Sequence, residues 1–182
     1  MAQQENLTTA AQRNLAIERM IRVNQAGEFG AKRIYAGQLA VMGDRTPAAR
    51  SIAHMAEQEE RHLNAFDKMM AERGVRPTAL HPIWSAAGFA LGAVSAAVSP
   101  EAAMACTVAV ETEIDRHYSE QLAEIGDSDP ELSAMIADFQ ADEQEHKATA
   151  LAEGAERAPA YPLMSALVRM GCRTAIAVSK HI

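Results

Sequence analysis

The sequence predicts an all-α protein, a four-helix bundle with two additional, more hydrophobic helices. Three observations carry this expectation. Apolar residues make up 48% of the chain but aromatics only 4%, and Ala, Met and Leu, all strong helix formers, dominate the apolar set. Prolines and glycines fall at intervals that cut the chain into helix-length pieces,. No alternating apolar and polar run of strand length occurs.

The elements follow from those breaks. The first helix is expected over about residues 12–42, ending near Gly43-Asp44, with residues 1–12 ahead of it expected to be flexible. The second runs over about 48–73 and is stopped by Gly74 and Pro77. Pro82 opens a shorter third helix, roughly 83–98, and Pro100 a fourth, about 100–125, which ends at Gly126. Asp129-Pro130 reads as a cap followed by proline at the first helical position, opening a fifth helix to about 153. Pro159 and Pro162 precede a sixth, about 163–178. Short connections make sequential helices neighbours, and 182 residues suit one domain, 1–182, with a sizeable core,.

Bulk charge narrows the function classes. With 17 basic and 24 acidic residues the net charge is −7, and no basic run or aromatic–basic stripe appears, so no nucleic-acid partner is expected. Cys106 and Cys172 form no CxxC pair and sit in apolar helical stretches, which reads as two reduced core thiols,. The start, MAQQENLTTA, has neither the apolar run of a signal peptide nor an Arg-rich amphipathic pattern,. There is no GxGxxG, P-loop or nucleophile motif.

One spacing occurs twice. Glu28 precedes Glu59-x-x-His62 by 31 residues, and Glu111 precedes Glu143-x-x-His146 by 32. The second helix carries a stripe at 3,4 spacing, Ile52, Met55, Glu59, His62, Phe66 and Met69, and the fifth repeats it with Ile136, Phe139, Glu143, His146 and Ala150. In each, a Glu and a His occupy positions where apolar residues belong. Glu57, Glu60, Asp142 and Glu145 fall off the stripes and are expected to be solvated. Glu28 shares a face with Ile21 and Tyr35, seven residues either side, as Glu111 does with Met104 and Tyr118,. Tyr35 and Tyr118 are therefore either hydrogen-bond donors beside the site or ordinary core aromatics.

Inward carboxylates need a counter-charge. A buried carboxylate without a partner costs several kcal/mol or takes up a proton. Two divalent cations carry the charge that cancels four carboxylates. Glu-x-x-His places both side chains one turn apart on one face, so both reach one metal region. The glutamates of the two motifs can bridge, leaving each ion one lone Glu and one His. Carboxylate with imidazole and no thiolate suits iron or manganese and not structural zinc. Glu113 and His117 form a competing pair, but both lie off the Glu111 face and have no counterpart in the first half. They and His54 are expected at the surface or behind the ligands.

From Pro82 to Pro100 no charged residue occurs. A helix apolar all round must be covered by protein or lipid, and a bundle of this size has little surface with which to cover it. The segment 82–100 is expected to face a membrane; a core-covering crossover helix and an apolar substrate tunnel are the other readings.

The stretches RVNQAGEFGAKRIYAGQ (22–38), VRPTALHPIWSAAGFALGA (75–93), AMACTVAVETEIDRHY (103–118) and APAYPLMSALVRMGCRTAIAVS (158–179) closely resemble the demethoxyubiquinone hydroxylase family, from about residue 15 to 182. Ferritins and rubrerythrins share the metal spacing but not these stretches. The resemblance implies a ferritin-like fold and a di-iron monooxygenase that hydroxylates the ring of a polyprenyl demethoxyubiquinol with O2, late in ubiquinone biosynthesis. It implies two Fe ions held by Glu28, Glu59, His62, Glu111, Glu143 and His146. Glu59 and Glu143 would bridge, Glu28 and His62 would hold one iron, and Glu111 and His146 the other. It further implies an external reductant, ultimately NADH, and peripheral attachment to the cytoplasmic face of a bacterial inner membrane. A lipid-binding partner of the pathway and a homo-oligomer are compatible with it. Two departures stand out. Gln25 replaces the family's usual His before Ala-Gly-Glu, and Lys147-Ala148-Thr149-Ala150 follows His146 where a His-Asp-like continuation is usual. The rival readings are a hydroxylase of another apolar substrate, a manganese catalase, an iron-storage bundle, and a membrane scaffold with vestigial ligands.

Overall fold

The computed structural model describes residues 2–180. Its elements are α1 (Ala2–Met42), α2 (Pro47–Arg73), α3 (His81–Val98), α4 (Pro100–Ile125), α5 (Pro130–Ala152), a single 3-10 turn (Ala155–Arg157) and α6 (Tyr161–Ser179), with no strand among the described residues. The predicted breaks are the observed ones. Five helices carry proline within their first two positions, where its missing N–H costs nothing. Thr46, Ser99 and Asp129 accept from the backbone N–H three residues on and so cap α2, α4 and α5,. Gly74 ends α2 in the left-handed conformation, φ 65°,.

Two boundaries depart from expectation. α1 begins at Ala2, not near residue 12. The expectation tied the helix start to its apolar pattern, but no proline or glycine interrupts residues 2–26, so no local breaker stops the helix there. The 3-10 turn was not foreseen; it follows Gly154 at φ 96°.

α1 with α2 and α4 with α5 form two helical hairpins that close into the bundle, α3 lies along α1, and α6 lies along α4. The α1–α3 contact depends on glycine. A Cβ on Gly92 would overlap the carbonyl oxygen of Ile34, and one on Gly37 would overlap that of Phe89. The two helices therefore approach to backbone contact. α6 is held differently. The buried carboxylate of Glu113 on α4 accepts from Arg169 Nε at 2.6 Å, from Arg173 Nε and Nη2 at 2.9 Å, and from Arg116 Nε at 3.0 Å. Burial alone would raise the Glu113 carboxyl, but the three guanidiniums prevail and hold it down at about 2,. Glu113 was expected at the surface or behind the ligands; the surface reading is excluded, because its carboxylate is buried against α6, which its own helix could not reveal. His117 is also buried, and accepts from Gln121 Nε2 at 2.9 Å. Burial pushes the imidazole down to about 4.

Cys106 and Cys172 are free thiols, both pushed up to about 12, chiefly by burial. They lie in or against the apolar cluster that joins α1 and α4 to α6.

Replacing Gly92 by Ala is expected to destabilise the fold. Overpacking costs about 1–3 kcal/mol, and the backbone clash places this site at the upper end. Helix propensity returns about 1. A net loss of about 2 kcal/mol corresponds to a Tm about 4–8 °C lower. Gly171→Ala, where a Cβ meets nothing within 4 Å, is the control, and thermal melting should leave it unchanged or slightly more stable.

Candidate metal centre

The bundle brings all six predicted side chains to one place. Glu28 comes from α1, Glu59 and His62 from α2, Glu111 from α4, and Glu143 and His146 from α5. Each is at most 1% exposed. The apolar stripes that carry them supply the surroundings: Ile52, Met55, Phe66, Ile136 and Phe139 are all buried around the cluster.

Both imidazoles turn Nδ1 inward. His62 Nδ1 lies 3.4 Å from Glu28 and 3.2 Å from Glu143, and His146 Nδ1 lies 3.4 Å from Glu59 and 3.1 Å from Glu143. The donor atoms form two groups, Glu28, Glu59, His62 and Glu143, and Glu59, Glu111, Glu143 and His146, each with its atoms within 4.8 Å of one another. Glu59 and Glu143 belong to both, so two ions could be held with these carboxylates shared. Glu28 Oε2, Glu59 Oε1 and Oε2, Glu111 Oε2, Glu143 Oε1 and His62 Nδ1 are buried without a hydrogen-bond partner. Polar atoms left without partners in a native core are rare, and gathered at this spacing they could hold metal ions,. Oxygen-rich, imidazole-containing and thiolate-free, the set fits two divalent transition-metal ions.

The titration behaviour gives the same account. Burial, then the Glu143 charge, pushes Glu59 and Glu111 well above the ordinary carboxylate range. Glu143 goes the other way: burial opposes ionisation, but the hydrogen bond from His146 and the neighbouring His62 imidazole hold it at about 2. Burial would lower His62, yet the carboxylates of Glu143 and Glu28 beside its Nδ1 raise it to about 10. Without metal, the site balances its carboxylates with protons.

The open question about the tyrosines is answered by geometry. Tyr35 on α1 donates to Glu111 Oε1 on α4 at 2.5 Å, and Tyr118 on α4 donates to Glu28 Oε1 on α1. Each lone glutamate is thus held by the tyrosine belonging to the other. Burial, then the nearby carboxylates, keeps both phenols protonated.

Two residues were missed. Asp142, expected to be solvated, is half-buried and accepts from His62 Nε2 at 2.9 Å while also pairing with Arg61. Gln58 Oε1 accepts from His146 Nε2 at 3.0 Å. Each stands immediately before the glutamate of one motif and supports the histidine of the other. The signal was present as a repeat, Gln58-Glu59-x-x-His62 and Asp142-Glu143-x-x-His146, but stripe analysis discards such positions because they point between helices. Glu57, Glu60 and Glu145 are exposed as expected. Gln25 does not support Glu28: its amide donates to Asp67 at 2.9 Å and its carbonyl pairs with His81 at 2.8 Å. Lys147 pairs with Asp115, and support for His146 comes from Gln58 on α2. His54 is exposed.

A helical bundle with two Glu-x-x-His motifs and two lone glutamates facing one core defines the ferritin-like class of dimetal carboxylate proteins. Comparison with known sequences places the chain within that class. The profile of the family described as ubiquinone biosynthesis protein COQ7 matches residues 15–179, and the chain belongs to that family. It is 49% identical over 166 residues to the 3-demethoxyubiquinol 3-hydroxylase of Rhodospirillum rubrum, covering 91% of this chain and 78% of that one. It is 46% identical over 171 residues to the mitochondrial NADPH-dependent 3-demethoxyubiquinone 3-hydroxylase of Homo sapiens, covering 92% and 78%. The enzyme of the same name in Caenorhabditis elegans is 40% identical over 178 residues, covering 96% and 95%.

The proton-balanced site yields a pH prediction. Groups raised in the folded state, Glu59 and Glu111 from near 4.5 and His62 from 6.5 to about 10, stabilise the metal-free fold below their ordinary values. That stability is lost as pH rises through their folded values. Glu143, held at about 2, contributes a constant term above 4.5. Melting in chelator should therefore show Tm falling between pH 5 and 10, and a divalent metal, which replaces the protons, should raise Tm most at the alkaline end. A Tm in chelator that rises with pH would contradict the assignment.

Proposed function

We propose that this chain is a dimetal monooxygenase that hydroxylates the ring of a polyprenyl demethoxyubiquinol with O2 in ubiquinone biosynthesis. The observation that carries the reading is the buried set of four glutamates and two imidazoles with unpartnered donor atoms, in a chain whose relatives are named for this hydroxylation. Iron is the metal that suits both the donors and the reaction. Glu28 and His62 would hold one ion, Glu111 and His146 the other, with Glu59 and Glu143 shared. When bound, the pair supplies the capacity to reduce O2 by two electrons at a time.

The balance of the reaction sets what the protein must provide. One oxygen atom enters the ring C–H as hydroxyl and the other leaves as water, which consumes two electrons and two protons beyond O2. The electrons come from a reduced nicotinamide nucleotide; the family resemblance implies NADH, whereas the human and mouse relatives are named NADPH-dependent. Tyr35 and Tyr118 hold the lone glutamates by their hydroxyl protons. Asp142 and Gln58 accept from the outer Nε2 of the two imidazoles and so leave Nδ1 free to bind,. The apolar stripes exclude water from the site.

The substrate's polyprenyl tail calls for an apolar approach, and α3 and α6 offer one. Among the described residues, six of nine large exposed hydrophobics lie on these two helices: Ile83, Val94, Val98, Leu163, Leu167 and Met170. α3 is long and apolar enough to cross a membrane by composition, with 22% of it buried. Its glycine face is taken up against α1, and the opposite face supports peripheral contact with a bilayer. The quinol ring would then enter between α3 and α6. Attachment to the cytoplasmic face of a bacterial membrane, a lipid-binding partner and self-association belong to this reading.

Glu111→Ala removes a donor and strands the Tyr35 hydroxyl. Hydroxylation of a demethoxyquinol, followed by mass spectrometry, should fall by a factor of about 100 or more, exceeding the loss typical of an outer-sphere partner, and bound iron should fall with it. Full activity in the iron-depleted variant would refute the proposal. Val94→Asp with Leu167→Asp should weaken co-sedimentation with lipid vesicles at least about tenfold, since each apolar side chain buried contributes about 1.5–3 kcal/mol.

A further inference from the structure

The two metal positions are related by the sequence repeat, yet their surroundings differ in two independent ways. The first is the group behind each imidazole. His62 Nε2 meets a carboxylate, Asp142, itself fixed by Arg61; His146 Nε2 meets a neutral carboxamide, Gln58. A carboxylate on the outer nitrogen makes the inner one the better donor, and loss of such a partner typically costs 10–100-fold in metal affinity.

The second is access. The His62 ring is stacked on Phe139 at 4.0 Å, and the Arg61 guanidinium lies over the same ring at 5.1 Å while also pairing with Asp138 at 2.7 Å. That side of the cluster is closed by an aromatic ring with an ion pair over it. The His146 side opens on a cavity of about 270 Å³ between α2 and α5. Arg50, His54, Gln58, Glu145, Thr149 and His146 itself line it. This cleft, which Met55 and Ser51 also line, includes no residue of α3 or α6, so it is separate from the apolar approach proposed for the substrate.

We propose that the two positions are unequal by construction. The His62 position binds first and retains its ion, and the His146 position is the weaker one, loading and exchanging hydrated metal through the α2/α5 cleft. Asp142 and Gln58 are the positioning residues that set the difference. This rests on the dimetal reading of the site, and the experiment separates the two.

The metal-free full chain is titrated anaerobically with Co2+, followed by its visible absorption, and the loaded protein is then mixed with excess EDTA. The expected result is two ions per chain, bound in steps at least about tenfold apart, and released in one fast and one slow phase. Two steps alone are not decisive, because mutual repulsion between ions sharing Glu59 and Glu143 also separates them. The variants decide. Asp142→Asn should weaken the first step about tenfold, as far as the gap between the two positions allows. Were the sites intrinsically equal, the first ion would occupy the His146 position instead, and only the second step would weaken; that outcome overturns the proposal. Gln58→Glu should tighten the second step and leave the first unchanged. Thr149→Trp, which fills the cleft, should slow the fast release phase about tenfold or more and leave the slow phase unchanged; equal slowing of both phases, or of neither, overturns the assigned route. Failure of the parent chain to bind two Co2+ would instead refute the dimetal reading itself. The parent isotherm and release kinetics need no variant, and a single step with single-phase release would also overturn the proposal.

Discussion

Four carboxylates buried together are the constraint to which the rest of this fold is fitted. Charges removed from water with no partner cost several kcal/mol each, so a core containing Glu28, Glu59, Glu111 and Glu143 survives only with positive charge beside it. Protons on Glu59, Glu111 and His62 meet the need without metal. Two divalent ions meet it with charge and coordination together. The stability of the bundle and its chemistry are therefore set by one balance, and a metal-free, alkaline condition disturbs both at once.

Around that balance the structure is built as two interlocked halves. Each lone glutamate is held by the tyrosine of the other hairpin, and each histidine is supported from the motif opposite. Glu28, Glu111 and both imidazoles are thus each held from a helix other than their own. Such crossed support ties α1 to α4 and α2 to α5 through the site, so the cluster also serves to register the hairpins. The symmetry is incomplete at Asp142 and Gln58, and there the repeat stops predicting equivalence.

The outer helices follow different rules. α3 is seated by glycines that let backbones touch, and α6 by its Arg169 and Arg173, which grip the carboxylate of Glu113. Both devices leave the outward faces free to be apolar, because neither uses those faces for attachment. An uncharged segment between Pro82 and Pro100 can thus be firmly docked on the bundle and still present Val94 and Val98 outward.

Much of this was legible in one dimension. Helix breaks are local chemistry, and proline, glycine and capping residues mark them without reference to the rest of the chain. Helical periodicity is local too, and it separated Glu59 and Glu143 from Glu57, Glu60 and Glu145. The start of α1 was misjudged because it was tied to the apolar pattern, whereas the absence of a helix breaker decided it. Asp142, Gln58, Glu113 and His117 were beyond such reasoning, and the roles of Tyr35 and Tyr118 stayed open. Periodicity says which way a side chain leaves its own helix; what it meets depends on how a second helix crosses. The sequence alone determined the six inward donors and the four helices that carry them. Only the tertiary structure decided which tyrosine holds which glutamate, which acid and amide stand behind the imidazoles, and which side of the centre is open.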